Sequence, residues 1–256
     1  MTLLAARGLS KRFGGLVAVD DVSFDVYEGT IKALIGPNGA GKSTLFNLLT
    51  GFDRPDVGEV LFADTSIVGL QPHRVVRAGM ARTFQNTQMF GEMTVTENVL
   101  VGMHTRLRTG FAAGALRLPP TRAVERDAIA RANHLLRLVG ADAFGDAPGA
   151  DVPHGVRRLV EIARALASAP KLLLLDEPAA GLNNTETVAL AASLRRIQAD
   201  GTTILIVEHD MGLVMEISDE IIVLDRGRKI AEGSPRLIQK DAAVIEAYLG
   251  EVIVDA

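Results

Sequence analysis

The chain has 256 residues, 48% of them apolar, and a formal net charge of −4, so it can bury a large core and lacks the basic character of most nucleic-acid-binding proteins. The absence of cysteine excludes disulfides, thiolate metal sites and cysteine nucleophiles. No uninterrupted apolar run approaches a membrane span, and residues 1–7 lack the apolar core of a signal peptide, so we expect a soluble cytoplasmic protein.

Short strands dominate the first third of the chain. Runs of apolar and β-branched residues predict strands at 3–6, 22–26, 31–35 and 58–62, and a further short strand at 80–84. A helix is predicted from residue 43, because Leu45, Phe46, Leu48 and Leu49 form one apolar face, and Gly51 suits its end.

The middle of the chain predicts helices at 96–103, 121–139 and 155–168. The second of these is amphipathic, with an apolar face formed by Val124, Ala128, Ala132, Leu135, Leu136 and Val139. Strands at 171–175, 202–207 and 221–224 then alternate with a helix at 185–199, which Asn183 or Asn184 would cap. This order predicts one α/β domain over 1–256, with 1–85 and 165–256 as its core and 86–164 as an inserted helical subdomain.

A glycine-rich loop lies between the predicted strand at 31–35 and the helix that follows. Residues 36–43 fit G-x-x-x-x-G-K-[ST], the phosphate-binding pattern, in which backbone N–H groups and a helix N-terminus attract phosphate. In that pattern Lys42 reaches the β- and γ-phosphates and the Ser43 hydroxyl ligates Mg²⁺. The predicted nucleotide-binding residues are Gly36, Pro37, Asn38, Gly39, Ala40, Gly41, Lys42, Ser43 and Thr44.

Polar residues follow three other predicted strands, where ligand sites of parallel sheets lie. Asp176 is the expected partner of Mg²⁺, and the adjacent Glu177 is the expected residue that orients or deprotonates the attacking water; solvent-facing acids are the alternative. His209 could sense the γ-phosphate or be a structural histidine. Gln85 could contact Mg²⁺ or water, although a single glutamine is a weak signal.

Taken in chain order, these motifs resemble those of the ATP-binding subunit of an ABC transporter, over nearly the whole chain. The matching positions are 36–43 (Walker A), 85 (Q-loop), 152–156 (signature), 172–176 (Walker B), 177 (catalytic glutamate), 180–183 (D-loop) and 209 (switch histidine). Phe13 resembles the aromatic residue that stacks on adenine, the alternative being a core or edge residue.

The resemblance implies a RecA-like P-loop NTPase core with an N-terminal antiparallel β-subdomain and an inserted α-helical subdomain. It also implies Mg²⁺-dependent ATP hydrolysis, with ATP and Mg²⁺ as cofactors. The catalytic residues that it implies are Glu177, His209, Gln85 and Lys42, and the metal-binding residues are Ser43, Gln85 and Asp176.

Finer features resemble the LivG-type subunit of branched-chain amino acid importers. These features are the stretches 83–86, 90–99, 174–183 and 207–211 and the ending at 247–251. The resemblance implies a peripheral subunit on the cytoplasmic face of the membrane. Its partners would be two transmembrane permeases, a second ATPase subunit and, indirectly, a solute-binding protein, with no nucleic acid. The permeases would dock near Gln85 on Met89, Phe90 and Met93, although packing within the helical subdomain explains these three residues equally well.

The signature region departs from the Leu-Ser-Gly-Gly-Gln of the family. The aligned residues are Val152, Pro153, His154, Gly155 and Val156, of which Gly155 alone matches. In the family this motif closes over ATP held by the opposite subunit, but Pro153 has neither a hydroxyl nor an N–H group to offer phosphate. We therefore expect a heterodimer with two unequal ATP sites, and Asn183, where the family usually has Asp, could further weaken communication between them.

Other functional classes remain alternatives at this point. They are a lipopolysaccharide-export ATPase, a soluble ABC ATPase that acts on ribosomes or DNA, a P-loop metabolite kinase and a regulatory module that binds nucleotide without hydrolysis. Soluble ABC ATPases usually carry two cassettes or a long coiled coil, and a kinase would not need the acidic pair, the histidine and a signature-like helix together. The presence of Lys42, Asp176, Glu177 and His209 disfavours a module that does not hydrolyse nucleotide.

Overall fold

The computed structural model describes residues 1–84, 89–104 and 119–254. The first sheet is antiparallel, with strands β1 (Thr2–Phe13), β2 (Leu16–Tyr27), β4 (Val57–Phe62) and β5 (Thr65–Ser66) in the order β2-β1-β4-β5. β1 and β2 are much longer than the apolar pattern predicts. Register shifts, such as the one between Ala6 and Leu9, interrupt the alternation of side chains and hide the full length of the strands.

The second sheet forms the centre of the molecule, with the strand order β10-β9-β3-β8-β7-β6. Its strands are β3 (Ile31–Ile35), β6 (Met80–Arg82), β7 (Leu172–Asp176), β8 (Thr203–Val207), β9 (Glu220–Asp225) and β10 (Arg228–Gly233). All neighbours are parallel except β9 and β10. Every residue of β3, β7 and β8 is buried, which explains why these strands are nearly continuous apolar runs in the sequence.

Helices connect and cover the strands. Their bounds are α1 Lys42–Thr50, α2 Pro72–Ala78, α3 Val95–Val101, α4 Pro119–Val139, α5 His154–Leu166, α6 Asn184–Ala199, α7 Met211–Ile217, α8 Pro235–Ile238 and α9 Ala242–Val254. α3, α4 and α5 pack on one another, and α4 also packs on α6. Within the described ranges, no helix is both long enough and apolar enough to cross a membrane.

The apolar face predicted for α4 is correct at one end and wrong at the other. Leu135, Leu136 and Val139 are buried in the core, but Val124 is 37% exposed. The buried end meets α3, α5 and α6, whereas Val124 lies in the first turns of a 21-residue helix. The residues of α4 share one core cluster with residues of the central sheet, and the subdomain boundaries at 86 and 164 stay a prediction.

Candidate functional site

The central sheet brings three loops to one edge. β3, β8 and β7 are adjacent and parallel, so the segments that follow them leave the same edge of the sheet. These segments carry the glycine loop, His209 and Glu177. The backbone N–H of Glu177 donates to the carbonyl of Val207 at 2.9 Å, which joins the ends of β7 and β8 directly.

The glycine loop passes directly into α1 and leaves its first turn without a side-chain cap. Gly41 is the N-cap residue, at a φ of 99°, and a Cβ there would lie 2.3 Å from the carbonyl oxygen of Ala18. Only glycine fits this conformation and this close approach. The backbone N–H groups at the start of α1 are therefore left without a side-chain acceptor, an arrangement that can attract an anion.

Lys42 folds back over its own loop. Its Nζ atom donates to the carbonyl oxygens of Gly36 and Pro37 at 2.6 and 2.8 Å. The loop carbonyls thus hold the ammonium group next to the N–H groups of the α1 terminus. A phosphate placed there would meet a positive charge and backbone donors together.

A cavity of about 470 Å³ opens over this loop. It is lined by Leu16, Val17, Ala18, Asn38, Gly39, Ala40, Gly41, Lys42, Ser43, Thr44, Glu177 and Arg226. The cavity thus unites seven residues of the predicted nucleotide set with Glu177, which is 134 positions away from Ser43 in the sequence (177 − 43). Phe13 is not among the lining residues, but it pairs with Leu16 at the tip of the β1–β2 hairpin and is 47% exposed.

Asp176 ends β7 and is buried. Its Oδ2 atom accepts a charged hydrogen bond from Nη2 of Arg82 at 2.7 Å, whereas its Oδ1 atom has no hydrogen-bond partner among the residues that the structure describes. A buried carboxylate oxygen without a donor is costly, and it is a fitting acceptor for water bound to a cation. The sequence analysis missed Arg82, because its link to Asp176 depends on β6 lying beside β7.

Glu177 itself adopts the left-handed conformation, with a φ of 49°. Such a φ is uncommon for a residue with a side chain and usually needs support from the surrounding structure. The N–H of Ala180 donates to the carbonyl of Glu177 at 3.2 Å, so the chain turns sharply just after β7. This turn lets Glu177 line the cavity while Asp176 stays buried.

Glu208 is a second buried polar residue near the site, and the sequence did not predict its contacts. It is 1% exposed, and its Oε1 atom accepts the N–H of Ala179 at 2.7 Å. Burial raises the pKa of this carboxyl, although hydrogen bonds from the N–H groups of Ala179, Asp210 and His209 lower it in part. The available sequence signal was a carboxylate directly after a strand that is apolar apart from Thr203.

His209 is not among the residues that line the cavity. Its side chain is 66% exposed, and its Nδ1 atom is 3.8 Å from Oε2 of Glu208. The structure therefore leaves room for the imidazole to meet a bound ligand. Gln85, the predicted Q-loop residue, lies outside the described residues.

The signature region forms the start of α5. Pro153 is the N-cap residue and provides no side-chain hydrogen bond to the helix, and Val152 is buried below it. Arg157 holds the loop in place by donating to the carbonyls of Val152 and Ala150 at 2.9 and 2.7 Å. The surface offered to a partner is thus the uncapped start of a helix, with exposed Pro153 and His154.

The signature region lies against the D-loop and the first turn of α6 in the same chain. A Cβ at Gly155 would lie 2.5 Å from Oε1 of Glu186, and one at Gly181 would lie 3.3 Å from Nε2 of His154. Asn183 caps α6 through a reciprocal pair of hydrogen bonds with Glu186, both at 3.0 Å. Asn183 is thus the cap, one of the two residues that the sequence suggested.

The segment proposed for partner docking is only partly exposed. Met89 packs against the core, whereas Phe90 and Met93 are 48% and 39% exposed. The fully buried Asn98 fixes their loop, accepting the N–H of Phe90 at 2.9 Å and donating to three carbonyls between Phe90 and Thr94. Packing therefore explains Met89, whereas docking on the exposed Phe90 and Met93 stays a prediction.

Comparison with protein families agrees with this geometry. Residues 19–180 match the family model described as ABC transporter, and residues 228–253 match that of the branched-chain amino acid ATP-binding cassette transporter. The chain is 45% identical over 250 residues to the high-affinity branched-chain amino acid transport ATP-binding protein BraF of Pseudomonas aeruginosa, which covers 97% of this chain and 98% of the relative. The LivG protein of Escherichia coli K12 matches with the same identity and coverage.

Solved structures show the same fold. A nucleotide-free ATP-binding cassette from an ABC transporter superposes with a TM-score of 0.83 and 32% identity, over 97% of this chain and 99% of that one. An ABC transporter cassette in its ADP conformation superposes with a TM-score of 0.84, also at 32% identity, over 98% and 99% of the two chains. The predicted α/β fold is thus confirmed, and the chain belongs to the ABC transporter family as an ATP-hydrolysing, ATP-binding subunit of the LivG type.

Proposed function

We propose that this chain is the Mg²⁺-dependent ATPase that energises uptake of branched-chain amino acids or similar small solutes. The observation that carries the proposal is the cavity in which the glycine loop, Lys42 and Glu177 meet. The solute class rests on similarity to BraF and LivG, whose names state branched-chain amino acid transport. The 45% identity extends over the whole chain and includes the C-terminal segment 228–253.

In this proposal the start of α1 binds the phosphates of ATP. Backbone N–H groups of residues 39–44 and the ammonium of Lys42 face the β- and γ-phosphates, and Phe13 stacks on adenine at the hairpin tip. Loop carbonyls hold Lys42 in place before nucleotide arrives, so little ordering is required on binding.

The residues present fit a Mg²⁺ ion at the phosphates. The Ser43 hydroxyl, the unpartnered Oδ1 atom of Asp176 and the amide of Gln85 are oxygen donors of the kind that Mg²⁺ prefers. When bound, the ion would neutralise charge on the transferred phosphoryl group. Glu177 would orient or deprotonate the attacking water, a role that contributes about 10²- to 10⁴-fold in rate, and His209 would contact the γ-phosphate.

Two such subunits would close on two ATP molecules, each held between one glycine loop and the signature helix of the other subunit. This chain offers a complete glycine loop but an incomplete signature, because Pro153 cannot donate to phosphate and Val156 replaces glutamine. We therefore propose a heterodimer whose two sites differ. The permeases would dock on the exposed Phe90 and Met93, which places the subunit at the cytoplasmic face of the membrane, with a solute-binding protein on the other side.

Nucleotide binding and turnover by the Glu177→Gln variant test the catalytic part of this proposal. The variant should bind ATP with unchanged affinity, lose most Mg²⁺-dependent hydrolysis and accumulate as an ATP-bound dimer, because Gln cannot accept a proton from water. Near-normal turnover would remove Glu177 from its role. A lipopolysaccharide-export ATPase or a soluble ABC ATPase would also pass this test, so the solute class needs the uptake measurement described in the Discussion.

A further inference from the structure

We propose that Arg82 is a positioning residue for Asp176. Its guanidinium fixes one oxygen of the carboxylate and leaves the other directed at the hydrated cation of the nucleotide site. The inference rests on the proposed function in which Asp176 serves Mg²⁺. It concerns a residue that lies outside the glycine loop and outside every motif identified in the sequence.

The ion pair is buried on both sides. The side chains of Arg82 and Asp176 are 9% and 6% exposed, and Nη2 lies 2.7 Å from Oδ2. A buried ion pair adds little net stability, because desolvation of the two charges offsets most of their attraction. What such a pair does provide is a fixed geometry for the carboxylate.

The guanidinium is held by more than its carboxylate partner. Its Nη1 atom donates to Oδ1 of Asn47 at 2.8 Å and to Oγ1 of Thr50 at 3.1 Å, both on α1. Since α1 begins at Lys42, Arg82 links the helix that would bind phosphate to the strand that ends in Asp176. The position of the carboxylate is thereby set relative to the glycine loop.

Three aromatic rings enclose the same guanidinium. Its Cζ atom lies 5.5, 5.7 and 5.1 Å from the ring centroids of Phe46, Phe52 and Phe84, distances at which a cation is attracted to the ring. A planar fork stacked among rings loses little freedom when it forms its hydrogen bonds. Lysine has no such fork and could not reach α1 and Asp176 together.

The second carboxylate oxygen of Asp176, Oδ1, indicates what this arrangement does. Among the described residues, Oδ1 has no hydrogen-bond partner although it is buried, so it is unsatisfied until a donor arrives. Water on a bound Mg²⁺ would supply that donor. Residues that orient a metal-binding carboxylate typically change metal affinity or activity by about 10- to 100-fold when they are replaced.

The test measures binding of a fluorescent ATP analogue by the full chain, first in EDTA and then as Mg²⁺ is added. In Arg82→Gln, the Mg²⁺ concentration at half-maximal response should rise by roughly tenfold. Affinity in EDTA should stay within about twofold of wild type, because the glycine loop is intact. An unchanged Mg²⁺ midpoint would overturn the inference.

If Arg82→Gln does not fold, the same titration is performed with Arg82→Lys. The lysine variant keeps the buried positive charge and loses the guanidinium fork. Its Mg²⁺ midpoint should also rise, and a wild-type midpoint would overturn the inference. Arg7→Gln is the matched control, because Arg7 pairs with Asp25 in the antiparallel sheet, and its midpoint should equal that of wild type. Asp176→Asn distinguishes failure of this inference from failure of the proposed function. If the Mg²⁺ midpoint shifts in Asp176→Asn but in neither Arg82 variant, Arg82 does not position Asp176. If the midpoint does not shift in Asp176→Asn, Asp176 does not serve Mg²⁺.

Discussion

Glu208 accepts the backbone N–H of Ala179 at 2.7 Å, and through this bond the loop after β7 is tied to the loop after β8. The other carboxylate oxygen accepts the N–H groups of His209 and Asp210 at 3.1 and 3.4 Å. Glu177 lies at the start of the first of these loops and His209 lies in the second. One buried side chain therefore fixes the spacing between the two residues proposed to act on the γ-phosphate.

Replacing Glu208 with alanine should lower ATP turnover by roughly 10- to 100-fold, because small displacements of catalytic groups have effects of that size. Nucleotide affinity should change little, since no glycine-loop residue contacts Glu208 in the hydrogen bonds above. Steady-state hydrolysis and equilibrium binding measured on the same preparation separate the two effects. Glu216→Ala, at an exposed position of α7, is the control. Wild-type turnover in Glu208→Ala would show that the two loops are held by other contacts.

The raised pKa of Glu208 also predicts a dependence of stability on pH. The ordinary value is 4.5, and burial raises the folded pKa above it, so this carboxyl binds its proton more tightly in the folded protein than in the unfolded chain. The stability from this group is complete below the unfolded pKa and is lost as the pH rises through the folded pKa. The free energy of unfolding of wild type, minus that of Glu208→Gln, should therefore fall as the pH rises above the ordinary value of 4.5.

Urea unfolding of both proteins at several pH values measures this difference, and all other titrating groups cancel in the comparison. A difference that stays constant across the range, or one that increases with pH, would mean that folding does not raise the pKa of Glu208.

Gly41 admits no side chain. Gly41→Ala should destabilise the protein by about 1–3 kcal/mol, because a Cβ combines an unfavourable φ with a contact of 2.3 Å to the carbonyl of Ala18. ATP affinity should fall with it, since the start of α1 must move. Thermal unfolding and nucleotide titration measure the two effects. Gly233→Ala, whose Cβ would have an ordinary 3.4 Å contact with Leu237, should change neither. A Gly41→Ala protein of wild-type stability would contradict this reading of the turn.

Restoring the signature residues should increase the rate of ATP hydrolysis at the site held by the partner subunit. In a complex with its partner ATPase, the double variant Pro153→Ser and Val156→Gln should hydrolyse ATP up to about tenfold faster. One charge-assisted hydrogen bond contributes roughly 1.5 kcal/mol, which corresponds to that factor. Pro153→Ala is the control, because it restores an N–H group without a hydroxyl. If the double variant hydrolyses ATP at the wild-type rate, the signature region of this chain does not limit hydrolysis at the opposite site.

The parts of the site that sequence predicted are those encoded by neighbouring residues. The glycine loop, the strand before it and the cap at Asn183 follow from local chemistry, and Glu177 lines the same cavity as the glycine loop. The parts that sequence missed depend on which strands are adjacent. Arg82 meets Asp176 across 94 positions, and Glu208 meets Ala179 across 29, so neither pair has a local signature.

Strand lengths were mispredicted for a related reason. β1 continues to Phe13 although its outer half is mostly polar or exposed, because it pairs with β2 across bulges that shift the register. The predicted strand at 80–84 ends instead at Arg82, where the N–H of Thr83 donates to the carbonyl of Leu174 at 3.0 Å. Pairing between strands, rather than the local pattern of residues, sets both of these ends.

The most direct test of the proposed function is uptake of labelled leucine into liposomes that contain this subunit, its partner ATPase, the permeases and a solute-binding protein. Uptake should require Mg²⁺ and ATP on the side of this subunit, and Glu177→Gln should reduce it by at least about 100-fold, the lower range expected for a general base. Vigorous ATP hydrolysis without uptake of any branched-chain amino acid, or uptake by Glu177→Gln at the wild-type rate, would contradict it.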